Sequence, residues 1–204
     1  MKRCSTTIYS TRITKISVYS NLKDMTRISM TVRLLPKQKR VNNMRNTTLC
    51  HIERDGKYLM LHRVKKENDL NHDKWVGIGG KFEDGESPEE CNAREVFEET
   101  GLTLHNPRYC GIVTFVSDKW GTEYMHIFYA DRFSGTITEC DEGDLEWIDK
   151  HELLRLPLWE GDKIFLRLLE EKSDFFSLKL EYRSDTLIKA ALNGKNMNLK
   201  TEKI

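Results

Sequence analysis

The sequence predicts a mixed α/β fold in a single globular body, and three observations predict it. Strand-like segments of alternating or β-branched apolar residues come first, then one helical stretch, then more strands, a second helix and a closing hairpin. The helical stretch, Pro88 to Thr100, carries start and stop signals at both ends. A length of 204 residues suffices for one ordinary domain with a substantial core and not comfortably for two.

Residues 1–43 hold ten Lys/Arg and eleven Ser/Thr against a single acid, Asp24. Three readings are open: a basic extension without a fold of its own, a start codon placed too far upstream, or an acid-poor transit peptide. From Thr47 the pattern sharpens. Thr47–Arg54 and Lys57–Val64 read as two strands around the turn Asp55-Gly56, followed by a polar loop over 65–74 and a short apolar run, Trp75–Ile78, leading into Gly79-Gly80. Ser87 is the N-cap of the helix, Pro88 fits its first position, Glu90 completes a capping box and Gly101 stops it. Strands are expected at Tyr109–Val116, Tyr124–Phe133 and Leu145–Ile148, helices at His151–Arg155 and Gly161–Glu171, and strands again at Phe175–Arg183 and Thr186–Ala190. The last dozen residues are polar and read as a frayed tail. The domain is therefore expected over 44–192, between the extension 1–43 and the tail 193–204.

Apolar residues make up 38% and charged residues 32%, the balance of a soluble globular protein. No apolar run reaches the length of a membrane span, so no membrane partner is expected. The net charge of +1 conceals a division, because outside residues 1–43 the chain has 31 acids against 23 bases. Such an acidic body is a poor non-specific partner for a nucleic acid polymer, and a phosphate ligand there needs metal cations to supply the attraction. Cys4, Cys50, Cys91, Cys110 and Cys140 are odd in number, scattered and without a C-x-x-C pair. That argues against a disulfide framework or zinc site and suits a reducing cytosol, so a cytoplasmic location is expected.

The chemistry concentrates in residues 80–102, GKFEDGESPEECNAREVFEETGL. Glu95, Glu98 and Glu99 are spaced i, i+3, i+4, which puts three carboxylates on one helix face within a turn. Packing has no use for three anions there, whereas Mg²⁺ or Mn²⁺ requires a cluster of hard oxygen ligands. Arg94 and Glu86 are placed to pair with and position the cluster. Gly79 and Gly80 permit close backbone approach, so a carbonyl can join the metal sphere.

The same segment fits G-x₅-E-x₇-R-E-[apolar]-x-E-E-x-G-[apolar] at Gly80, Glu86, Arg94, Glu95, Val96, Glu98, Glu99, Gly101 and Leu102. It resembles the Nudix box at every fixed position. The resemblance implies a Nudix-type α/β/α sandwich with a mixed central sheet, the box forming a loop–helix–loop that binds divalent metal and diphosphate. It implies Mg²⁺, with Mn²⁺ as a substitute, held by Glu95, Glu98, Glu99 and the Gly80 carbonyl. Glu98 and Glu99 would activate the attacking water, with Arg94 and Glu86 orienting them.

Over Asn46–Leu192 the chain further resembles the MutT-like 8-oxo-dGTP diphosphatases, the oxidised purine nucleoside triphosphatase branch. KWVGIGGK (74–81) is similar to the strand entering the box there, and ECDEGDLEWID (139–149) puts Glu142 where that branch has an additional acidic metal ligand or base. LPLWEGDK (156–163) puts Trp159 at a purine-stacking position and Asp162 at a base-reading one. Each has a plainer reading: Trp159 as a core aromatic, Asp162 as an early-helix acid favoured by the dipole. Lys81 either reaches a terminal phosphate or is simply solvated. Cys91 and Ala93 on the box helix read as packing. Val76 departs from the human-type pattern, which has a base-bonding Asn at that position.

The implied function is Mg²⁺-dependent hydrolysis of a nucleoside triphosphate, an oxidised purine such as 8-oxo-dGTP, to monophosphate and pyrophosphate. That activity would sanitise the nucleotide pool and so serve DNA repair, with no protein partner implied. The alternatives are a Nudix pyrophosphatase for ADP-ribose or dinucleoside polyphosphates, and a non-catalytic Nudix-fold sensor, against which the intact box argues. If nothing before Met44 joins the core, a chain beginning there should express, melt within a few degrees of the full chain and keep its kcat/KM; thermal denaturation and steady-state kinetics check this.

Overall fold

The computed structural model describes residues 44–65 and 69–199. The expectations for residues 1–43, Cys4 among them, and for the tail beyond residue 199 lie outside the described residues.

β1 (Met44–Arg54) and β2 (Lys57–His62) form the expected hairpin, and Asp55 and Gly56 make its turn at φ of 52° and 77°. β3 (Trp75–Val76) pairs with the end of β2. The chain then runs along the first half of β1: the Thr48 N–H donates to the Gly80 carbonyl at 2.8 Å, and Cys50 and Ile78 exchange bonds at 2.6 and 3.0 Å. α1 (Pro88–Thr100) follows, with the Ser87–Glu90 capping box present in both directions and Gly101 closing it at φ 72°.

The rest of the sheet comes from β5 (Arg108–Ser117), β6 (Gly121–Ala130), β8 (Asp144–Asp149), β9 (Phe176–Arg183) and β10 (Thr186–Leu192). Two helices intervene, α2 (Lys150–Leu153) and α3 (Glu160–Glu170). The strand order is β10-β9-β5-β6-β1-β2-β3, with β8 on the other side of β2. β1 and β6 run parallel, as do β5 and β9, and the other pairs are antiparallel, so the central sheet is mixed.

The period of two along each strand divides the core into two layers. On β2, Tyr58 and Met60 face a cluster with Val113, Phe115, Leu178 and Leu180, while Leu59 and Leu61 face Cys50, Ile52, Val96 and Phe128. α3 covers the first cluster with Ile164, Phe165, Leu166 and Leu169, and α1 covers the second with Val96. This is the three-layer α/β/α arrangement that the sequence predicts. Among the described residues Cys50, Cys91, Cys110 and Cys140 are buried free thiols. No helix among the described residues is long and apolar enough to cross a membrane.

Three elements differ from expectation. Leu102–Leu104 (β4) and Phe133–Gly135 (β7) form a separate two-stranded ladder, too short for a period to show in sequence. Lys195–Asn196 (β11) pairs with the end of β10 around an Asn193-Gly194 turn at φ of 49° and 78°. Met197 and Leu199 then pack on the α3-side core. The segment after 192, read as a frayed tail, is thus part of the sheet edge through the residues described. β2 also stops at His62 rather than Val64, and Arg63 turns out of the ladder toward the pocket described below.

Phe165 is wholly buried between α3 and the sheet. Phe165→Ala should cost about 3–5 kcal/mol of stability, because the aromatic volume is not refilled; urea denaturation reads this as a lowered midpoint at an unchanged slope.

Candidate active site

α1 is poor in apolar residues: Val96 and Cys91 are the buried ones, beside buried Asn92, Glu99 and Thr100. Polar bonds fix it instead, and most converge on Arg94. Its guanidinium grips Glu86 with both forks (Nε to Oε1 2.6 Å, Nη2 to Oε2 2.9 Å). It also donates to Glu95 at 2.9 Å, to Glu98 at 3.0 Å and to the Lys81 carbonyl at 2.9 Å. Arg94 holds the Glu86 carboxyl down to about 2, helped by the Glu83 N–H. One cation thus ties Glu86 and the Lys81 carbonyl of the loop before the helix to two of the helix acids, Glu95 and Glu98.

Of the two glycines preceding that loop, Gly79 is required by backbone contact, while Gly80 lies close under the Glu95 carboxylate. A Cβ on Gly79, which sits at φ 152°, would lie 2.2 Å from the Thr48 carbonyl oxygen, and one on Gly80 would lie 2.4 Å from Glu95 Oε2. The Gly79 N–H donates to Glu99 Oε2 at 3.0 Å. Glu99 is 8% exposed, and burial is the main cause that lifts its carboxyl to about 8. The Gly79 N–H opposes the rise, while the charges of Glu142 and Glu95 add to it. Burial likewise raises Glu95, Arg94 opposing and Glu98 and Glu142 adding.

These groups open on a cavity of about 510 Å³ lined by Gly79, Gly80, Lys81, Glu95, Glu99 and Glu142 and also by Val76, Phe115, Trp159 and Asp162. Trp159 precedes the first turn of α3 and is 8% exposed. Phe115 and Tyr182 meet it edge to face at 6.2 and 5.4 Å between centroids, and its indole N–H donates to Asn71 Oδ1 at 2.9 Å. Lys74 Nζ lies 5.3 Å from its ring centroid. Asp162 sits one turn into the same helix, where burial lifts its carboxyl to about 7 against the pull of Lys74. Arg63 donates from Nε to Asp69 at 2.5 Å and from Nη1 to Glu142. Thr47 and Arg45 hold Glu123 on another part of the lining, at 2.9 and 3.0 Å.

Residues 43–169 match the NUDIX domain family. The chain belongs to the Nudix hydrolase family. An uncharacterized Nudix hydrolase of Bacillus subtilis, YvcI, is 35% identical over 124 residues, 58% of this chain and 75% of that one. The oxidized purine nucleoside triphosphate hydrolase of Danio rerio is 32% identical over 132 residues, 63% of this chain and 81% of that one. Among solved structures, the mutator MutT protein of Bacillus halodurans superposes with a TM-score of 0.65 at 30% identity, over 74% of this chain and 99% of that one.

Nudix hydrolases generally use divalent metal ions. The donor chemistry of this pocket fits one: the charge of Glu142 raises the proton affinity of Glu95 and Glu99, and Glu95 raises that of Glu99, a repulsion that a hard divalent cation relieves. Among the described residues no three His, Cys, Asp or Glu side chains close on a common point as a preformed cage, and Arg94 draws Glu95 and Glu98 to itself. Of the residues singled out in the sequence, the pocket brings together Gly80, Lys81, Glu95, Glu99, Glu142, Trp159 and Asp162. Glu98 is absent from that lining, its side chain 57% exposed on the far side of Arg94. Cys91 packs beside the Gly80 carbonyl. Sequence reasoning missed Arg63, Asp69, Asn71, Arg45 and Glu123. The one available signal was a charge, Arg63, ending an otherwise apolar strand.

The raised Asp162 carboxyl has a consequence for stability. The folded protein binds this proton more tightly than the unfolded chain, so stability falls as pH rises from about 4 through about 7. Asp162→Asn removes that loss, and thermal melts should show it stabilising the protein at pH 8 relative to wild type and far less at pH 4.

Proposed function

We propose that this Nudix hydrolase cleaves purine nucleoside triphosphates, oxidised purines such as 8-oxo-dGTP among them, to the monophosphate and pyrophosphate. Its setting would be sanitation of the cytoplasmic nucleotide pool, with Mg²⁺ as the metal. One observation carries the reading: a single cavity is lined by box carboxylates and by Trp159 and Asp162. A phosphate-binding end alone would serve any diphosphate; an aromatic face beside a titratable acid selects a nucleobase. The printed activity of the Danio rerio relative supports the same choice.

Gly80 through its carbonyl, Glu95, Glu98 and Glu99, joined by Glu142, would hold the metal. Bound there, Mg²⁺ neutralises phosphate charge and acidifies water. Glu98, paired with Arg94 in this structure, would have to leave that pair to join the other ligands. Glu98 or Glu99 would take the proton from the attacking water as it approaches phosphorus in line. Lys81 meets the terminal phosphate from the pocket mouth. Trp159 stacks on the purine, and Asp162 exchanges a hydrogen bond with its edge, as donor below about pH 7 and as acceptor above. Val76 offers the base no hydrogen bond, so the preference for 8-oxoguanine is looser than an Asn there would give.

Glu98→Gln and Glu99→Gln should each lower kcat by about three orders of magnitude with the fold intact, whereas Glu89→Gln, exposed on the same helix, should stay near wild type.

Competition between 8-oxo-dGTP, dGTP and ADP-ribose at equal concentrations tests the substrate. Trp159→Ala should raise KM for purine triphosphates by about 1–3 kcal/mol of lost stacking, and Asp162→Ala should reorder the bases. The purine reading falls if ADP-ribose outcompetes every triphosphate, or if neither variant alters purine selectivity.

A further inference from the structure

Arg63 lies just past β2, outside the Nudix box and outside every motif of the sequence, yet its side chain is 13% exposed and its guanidinium serves two carboxylates from separate segments. Nε donates to Asp69 in the loop after β2, and Nη1 donates to Glu142 in the loop before β8. The other Asp69 oxygen accepts the Asn71 N–H at 3.1 Å, and Asn71 Oδ1 accepts the Trp159 indole N–H at 2.9 Å. All five residues line the one cavity. An unbroken run of hydrogen bonds therefore joins the aromatic face to the acid whose charge is felt by Glu95 and Glu99.

A pair made only for stability needs one carboxylate. Here a planar fork spans two, which a point-charged ammonium does not do with the same directionality. We propose that Arg63 is a positioning residue that couples nucleobase binding at Trp159 to cation binding at the acidic end. The inference rests on the purine reading above. A base stacked on Trp159 fixes the indole, the indole fixes Asn71 and Asp69, and Arg63 passes that order to Glu142. Whichever ligand arrives first bears the ordering of this run, so the second binds more tightly, and the enhancement is the same in both directions.

The test uses ligands that cannot touch each other. Binding of Mn²⁺ to the full chain is measured by electron paramagnetic resonance with and without saturating 2′-deoxyguanosine, which lacks a phosphate to bridge to the metal. Deoxyguanosine binding is measured by calorimetry with and without Mn²⁺. In wild type each ligand should tighten the other by at least about five-fold, by the same factor both ways. In Arg63→Met that factor should fall to about one, whatever happens to the separate affinities. Asn71→Ala, which breaks the run without touching Arg63, should do the same and stands alone if Arg63→Met does not fold. Arg63→Lys should also lose most of the factor.

A five-fold factor surviving in Arg63→Met or Asn71→Ala overturns the proposal, as does a wild type that binds nucleoside with no change in Mn²⁺ affinity. A wild type that binds Mn²⁺ but no purine nucleoside overturns the purine reading and this inference with it.

Discussion

The box helix offers the sheet little apolar surface, so its position depends on the Arg94 guanidinium. Five hydrogen bonds from that group reach Glu86, Glu95, Glu98 and the Lys81 carbonyl, and between them they join the loop, the helix and the strand-like segment beside β1. Without that cation the acids on one helix face would repel, and α1 would lean on Val96, Cys91, the Gly79–Glu99 bond and its caps. Because Arg94 also anchors the backbone at Lys81, it helps fix Gly79 where glycine alone fits, against the Thr48 carbonyl, and Gly80 close under Glu95.

Burial then sorts the acids that Arg94 gathers. Glu86 is drawn down to about 2 by its bidentate pair, while Glu99, nearly sealed from solvent, is lifted to about 8. Pairing and burial thus drive residues of the same type in opposite directions. Asp162 repeats the second case beside Trp159. The cavity thus carries titratable acids both at its box end and beside its aromatic wall.

Much of this was legible in sequence where the signals are local. Ser87, Pro88, Glu90 and Gly101 mark the ends of α1 because caps are made within one turn, and they are found as expected. The i, i+3, i+4 spacing put Glu95, Glu98 and Glu99 within one turn, although only Glu95 and Glu99 line the cavity, and alternation placed the strands to within a few residues. The Asn193-Gly194 turn of the last hairpin was equally local but lay hidden in a polar segment. β4 and β7 were not legible, since three residues show no period.

The sequence by itself determined the family, the box and the order of elements, because each of these is written in spacings shorter than a helix turn or a strand. Tertiary structure decided which acids share a cavity. Glu142 and Glu95 are 47 positions apart and Trp159 and Asn71 are 88 apart, and such neighbours meet only through the parallel pairing of β1 with β6 and the placement of β8 beside β2. It also set Glu98 outside and Glu99 inside, though they are adjacent in the chain. Side chains one residue apart on a helix point about 100° from each other, and only the packing of α1 on the sheet says which of the two directions is the interior.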